Sequence, residues 1–197
     1  MLNKSFLPLL MSLLTATCFA QTSGTPATQP SYRLNGSATL ASNFVEKGLT
    51  QTNNDPGLQS EFWFNFGSQF RLGLWGANVE YKDTPTTHFW LKASADVKVD
   101  FSNETKIHII YNDNHYYKAN KRDGNMLGIH LELWGYKIIY DMDSNWEGTK
   151  AKATYAGLGK DTSIWGDWVW ANEGGYTMPK ASGVSGFFDV RSGLGTK

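Results

Sequence analysis

Cysteine is nearly missing from this chain of 197 residues. Its single cysteine, Cys18, sits in the opening segment, so nothing downstream can form a disulfide framework. Charge of one sign is missing too. The 18 basic residues balance 18 acidic ones, which removes the basic footprint expected of a nucleic-acid binder. Beyond the opening residues no apolar run reaches the length of a spanning helix, and no amphipathic helix of useful length competes with strand patterning. No Gly-x-Ser-x-Gly elbow occurs to place a serine nucleophile. The four histidines lack tight ligand spacing. In Asp141–Gly148 a calcium-loop pattern fails, because Trp146 stands where glycine is needed and Lys152 where glutamate is needed. The expectation is a protein that is not an enzyme and holds no cofactor or metal.

What is present begins with an export signal over residues 1–20: a short charged start at Asn3-Lys4, an apolar core, and small residues before Gln21. Thr15-Ala16-Thr17 ahead of Cys18 fits a lipidation site poorly. Residues 21–31 are rich in Thr, Ser and Pro and read as a flexible leader. Residues 32–197 read as one β domain.

The clearest strand lies at 89–101. Phe89, Leu91, Ala93, Ala95, Val97, Val99 and Phe101 share one parity, while Trp90, Lys92, Ser94, Asp96, Lys98 and Asp100 share the other. Side chains of a strand alternate between faces, so one face is oily and the other charged. About ten such strands (8–12 in all) are expected, at 32–45, 57–66, 70–81, 88–101, 105–112, 125–133, 136–141, 150–158, 163–171 and 184–191.

The connections alternate in length. Short turns fall at 67–69, 102–104, 134–135 and 159–162, and longer loops at 46–56, 82–87, 113–124, 142–148 and 172–183. That alternation is the habit of outer-membrane barrels, with short turns on the periplasmic side and long loops outside. Folding around the short turns sets Phe66 opposite Phe70, Phe64 opposite Leu72, Val97 opposite Ile109 and Leu131 opposite Ile138. On the other face the same folding sets Asp100 opposite Lys106 and Glu132 opposite Lys137.

A soluble barrel would bury the oily face around a hydrophobic ligand. Three features favour lipid outside instead. Several strands have the roughly 9–11 residues of a tilted bilayer crossing, the loop lengths alternate, and aromatics gather near strand ends. Those aromatics are Phe66, Phe70, Tyr81, Phe89, Trp90, Phe101, Tyr111, Tyr116, Trp134, Tyr136 and Tyr140. The expected fold is therefore all-β, an antiparallel up-and-down transmembrane β-barrel. Its lumen would be lined by Glu61, Arg71, Lys92, Asp96, Lys98, Asp100, Lys106, Glu132 and Lys137. His108 and His130 share that inward parity.

At residues 40–59 the sequence LASNFVEKGLTQTNNDPGLQ resembles a family of bacterial outer-membrane proteins, the TorF-type porins. The resemblance rests on Leu40, Ser42, Asn43, Phe44, Gly48, Thr50, Gln51, Pro56 and Gln59, and on a second motif at Trp75, Asn78, Val79 and Glu80. Lys47 stands where the family usually has Arg, and Glu46 where an aromatic is common. Members of the family are longer, and this chain ends in Ser192–Lys197 without the aromatic terminus common in such barrels. The resemblance implies an outer-membrane barrel of porin type, with membrane lipid and small solutes or ions as partners. The loops at 46–56 and 113–124 are expected to shape its mouth. A barrel with a plugged lumen, serving structure or adhesion, is the other outer-membrane reading.

Overall fold

The structure, a computed structural model, describes residues 32–196. The expected signal and leader, Cys18 among them, lie outside the described residues, as does Lys197. Ten strands form one antiparallel sheet in which each pairs with the next: β1 (Tyr32–Ala41), β4 (Gly57–Phe66), β5 (Phe70–Asn78), β6 (Phe89–Asp100), β7 (Thr105–Tyr116), β8 (Gly124–Leu133), β9 (Tyr136–Asp143), β10 (Ala153–Trp165), β11 (Trp168–Pro179) and β12 (Phe187–Thr196). A small hairpin, β2 (Val45–Glu46) with β3 (Leu49–Thr50), stands between β1 and β4. No helix among the described residues is long and apolar enough to cross a membrane.

The registers expected around the short turns are those observed. Phe66 faces Phe70 and Phe64 faces Leu72, Val97 faces Ile109, and Leu131 faces Ile138. The two-residue turn between β8 and β9 uses Trp134 and Gly135, whose φ values of 50° and 79° match the twist of a two-residue hairpin.

Burial is inverted relative to an ordinary water-soluble protein. In β6, Phe89, Leu91, Val97 and Val99 are exposed, whereas Trp90, Ser94 and Asp96 are buried. Register carries the apolar parity from strand to strand, although β1 is exposed on both parities. Tyr32, Phe66, Phe70, Val97, Ile109, Ile129, Tyr140, Ala156, Tyr176 and Phe188 are paired in succession, one from each strand. Eight of these ten are exposed large apolar side chains.

The polar parity meets a common interior. A cavity of about 790 Å³ is lined by Thr39, Gln59, Trp75, Lys92, Asn112, His130, Asp141, Tyr155, Glu173 and Arg191, one from each of the ten strands. The sheet thus wraps around one space. Strands β1 and β12 are its two edges, and no ladder joins them.

Three expectations are corrected. The first strand stops at Ala41, and the residues after it turn inward as the β2–β3 hairpin. The short turn expected at 159–162 lies instead at Gly166-Asp167, so β11 runs through residues expected to be loop. Gly175, in the stretch expected to be loop, makes room for a ring: a Cβ on it would lie 2.3 Å from the Tyr155 ring, and one on Gly157, on the facing strand, 2.8 Å from it. Finally, Tyr81 and Trp90 are buried, and Tyr116 packs against their cluster. Their parity is inward, so these three do not belong to an outer aromatic belt.

Candidate functional site

The site is the interior at the long-loop end of the sheet. Its floor is an aromatic cluster. Phe44 packs on Trp75 and Trp90 with ring centroids 5.6 and 6.2 Å apart, and Trp90 stacks on Tyr116 at 5.0 Å. Trp90 donates to Asn114 Oδ1 at 3.1 Å, so its indole N–H is satisfied while buried.

Phe44 anchors the β2–β3 hairpin, and the motif residues knit it together. Asn43 Oδ1 accepts from the Thr50 hydroxyl at 2.6 Å, and the Gln51 backbone N–H donates to Phe44 O at 2.7 Å. The Tyr81 hydroxyl donates to Gln51 Oε1 at 2.6 Å, and Asn78 Nδ2 donates to Pro56 O at 3.1 Å. Gln59 and Trp75 line the cavity, while Ser42 is exposed. The motif therefore builds and seats a hairpin.

The tip of that hairpin crosses the interior. Lys47 and Gly48 turn with φ of 47° and 77°. A side chain on Gly48 would meet Asp189 Cβ at 2.8 Å, so glycine is required by both conformation and space. Lys47 Nζ reaches Asp141 Oδ2 on β9 at 3.1 Å and lies 5.3 Å from the Tyr155 ring centre on β10. Glu46 pairs with Lys92 on β6 at 3.6 Å. Asp141 also holds His130 Nε2 at 2.9 Å. On the same wall Arg191 pairs with Glu173, which accepts from the Tyr155 hydroxyl at 3.0 Å.

Above the hairpin the long loops close over. Arg122 is buried and bridges Glu147 and Asp83, the latter at 2.7 Å, with its guanidinium 3.7 Å from the Tyr81 ring centre. Burial opposes the charged guanidinium, yet hydrogen bonds to Asp83 and Glu147 hold its pKa above the ordinary arginine value. A hydrogen bond from Lys121 leads in bringing Asp83 down to about 2. Burial pushes Glu147 and the Tyr81 phenol up. Only about 40 Å³ of free space remains between loops and hairpin. Glu46, Lys47 and Lys92 line both this space and the larger cavity, so the hairpin separates the two.

The charged residues expected on the inner parity fall into two groups. Arg71, Asp96, Lys98, Lys106 and Glu132 line a second cavity of about 260 Å³ near the short-turn end, together with His108. Buried Asp96 is its centre, 2.6 Å from Arg71 Nη2 and 3.1 Å from His108 Nδ1. The other four sit apart. Lys92 meets the hairpin, Asp100 pairs with Lys98 at 3.3 Å, and Lys137 pairs with Asp161 at 2.8 Å. Glu61 accepts from Ser37 at 3.0 Å and from Trp63 at 3.2 Å.

Register sets Asp100 against Lys106 and Glu132 against Lys137 as expected, but the ion pairs go to other neighbours. Lys106 lies 3.8 Å from Glu132. The acids of the calcium-like loop are engaged elsewhere, Asp141 with Lys47 and His130, and Asp143 with the Asn145 backbone N–H at 2.9 Å.

Sequence reasoning missed Glu46, Lys47, Asp141, Glu173 and Arg191 as partners in one interior. A usable signal was Lys47-Gly48 between β-forming residues, a short hairpin turn. Comparison of the chain with family models, with curated proteins and with solved structures finds no match in any of the three.

Proposed function

We propose that the protein is a small outer-membrane β-barrel of porin type, exported by its first twenty residues, that passes small solutes or ions along a narrow polar bore. The observation that carries this reading is the inverted burial. Val97, Ile109, Ile129 and Phe188 are exposed while Asp96, Asn112 and Asp141 are buried. In water such a continuous apolar surface exceeds what a soluble monomer tolerates; against acyl chains it is the expected outer wall. A soluble barrel around a hydrophobic ligand has less support, because the interior offers charges and amides. The motif residues that resemble TorF-type porins fit the same reading.

In hydrocarbon, the free edges of β1 and β12 must pair, so the barrel reading includes their closure. Two features support it. Arg191 and Thr39 line the same cavity from the two edges, and exposed Leu40, Val190 and Phe188 put even-numbered residues outward on both strands. The belt that starts at Tyr32 on β1 reaches Phe188, near the beginning of β12. Closure then needs a stagger of roughly ten to twelve residues, the kind of shear a ten-stranded barrel takes.

The hairpin narrows the bore at the long-loop end and sets its conductance. It also favours a second reading, a plugged barrel serving structure or adhesion. Planar-bilayer conductance of refolded full-length protein separates them. Discrete ion-conducting steps support the channel, and silence across all voltages supports the plug. Recovery from the periplasm without detergent would overturn both.

A further inference from the structure

We propose that the solute of this bore is a small organic cation, a primary ammonium or guanidinium compound. This rests on the channel reading above and names its substrate class. A carboxylate and an aromatic face converge on one cationic group at four places, and each time the cation is the protein's own.

In the loops, Arg122 lies over Tyr81 and pairs with Asp83 and Glu147. At the hairpin, Lys92 lies 4.6 and 4.8 Å from the ring centres of Trp75 and Trp90 and pairs with Glu46. Across from it, Lys47 lies by Tyr155 and pairs with Asp141. Next to the short turn, Arg71 lies 4.2 Å from the Trp63 ring centre and pairs with Asp96.

These stations run from the loop end of the bore to the turn end. Arg122 belongs to a long loop, Lys92 to the start of β6, and Arg71 to the start of β5, directly after its short turn. The pattern selects by chemistry. The face of an indole or phenol ring attracts a cation through its quadrupole, and a carboxylate adds charge-assisted hydrogen bonds to N–H donors. Both groups repel an anion, which can pair only with the resident lysine or arginine. A neutral solute gains from neither charge.

Lysine and arginine side chains as built-in occupants solve the cost of holding a partly buried carboxylate with nothing in the bore. An incoming ammonium takes the carboxylate and ring as the side chain swings off, so the station is never left unpaired. The cavity below the hairpin, about 790 Å³ with Trp75, Tyr155, Glu46 and Asp141 in its wall, has the volume of a small-molecule site.

The test is a bi-ionic measurement on the refolded full-length chain in planar bilayers, with potassium chloride on one side and ethylammonium chloride at equal concentration on the other. The expected permeability ratio favours ethylammonium by about two- to fivefold beyond the ratio of bulk mobilities, the worth of one aromatic–cation contact. Trp75→Leu and Glu46→Gln are expected to return it to the mobility ratio. A second readout does not need conductance: tryptophan emission in micelles, titrated with ethylammonium chloride against sodium chloride at matched ionic strength.

An ethylammonium-specific emission change that Glu46→Gln abolishes supports the cation stations, and if bilayers stay silent it does so while overturning the channel. Conductance at the mobility ratio, with no specific emission change, overturns the organic-cation inference and leaves the channel standing. Silence in both overturns both.

Discussion

Lys47 Nζ lies 3.1 Å from Asp141 Oδ2, and this contact ties the tip of the β2–β3 hairpin to β9. The side chains are 13% and 7% exposed, so water screens the pair little. Lys47→Ala removes the tether while His130 still holds Asp141 at 2.9 Å. The expected cost is on the order of 1–3 kcal/mol of stability, that of leaving a buried charge short of one partner. Urea unfolding in detergent micelles measures it. On the channel reading, single-channel conductance is expected to rise, because the hairpin tip is no longer tied to β9. An unchanged conductance would show that the hairpin is not the constriction.

The loop clasp carries a pH signature. Asp83 has its folded pKa drawn down to about 2 from an ordinary 3.8, led by the hydrogen bond from Lys121. The sign follows: its contribution is present above the unfolded value and is lost as pH falls from about 4 through about 2. Glu147, raised by burial, works oppositely, and its contribution is lost as pH rises through its folded value. Limited proteolysis of the loops is expected to accelerate between pH 4 and 2 in the native chain. In Asp83→Asn that acid transition is expected to vanish, with the loops already open at pH 5.

Closure of the sheet is tested at its seam. A stagger of roughly ten residues sets Leu40 against Val190, and roughly twelve sets it against Ser192. Leu40→Cys with Val190→Cys, or with Ser192→Cys, is expected to cross-link in the folded protein, since Cβ atoms of facing residues lie within disulfide reach. Oxidation followed by gel mobility without reductant reads the result. Failure of both pairs to cross-link would place the two edges apart.

The ten-stranded antiparallel sheet with its exposed apolar face was legible in the sequence because it depends on a period of two and on short turns. Phe89–Asp100 follows from parity, and the hairpins at 67–69 and 134–135 from parity together with their short turns. What parity cannot give is the destination of a long loop. Glu46 and Lys47 have no periodic neighbours to align them, and their partners Lys92 and Asp141 lie far along the chain. Glycine misled for a related reason. Gly175 falls in a stretch that reads as a long loop, yet it is a strand position emptied to admit Tyr155. Ion-pair choice was equally hidden, because Lys137 faces Glu132 in register but reaches Asp161.

The orientation of the two faces underlies everything above, and Val97 and Lys98 sample both. Val97 is exposed on the apolar side, and Lys98 lines the cavity at the turn end. A nitroxide is placed at each by Val97→Cys and Lys98→Cys in protein refolded into vesicles, and its collisions with oxygen and with a water-soluble relaxation agent are compared. The account predicts high oxygen and low aqueous accessibility at 97, with the reverse at 98. An aqueous or protein-packed environment at 97 would contradict it.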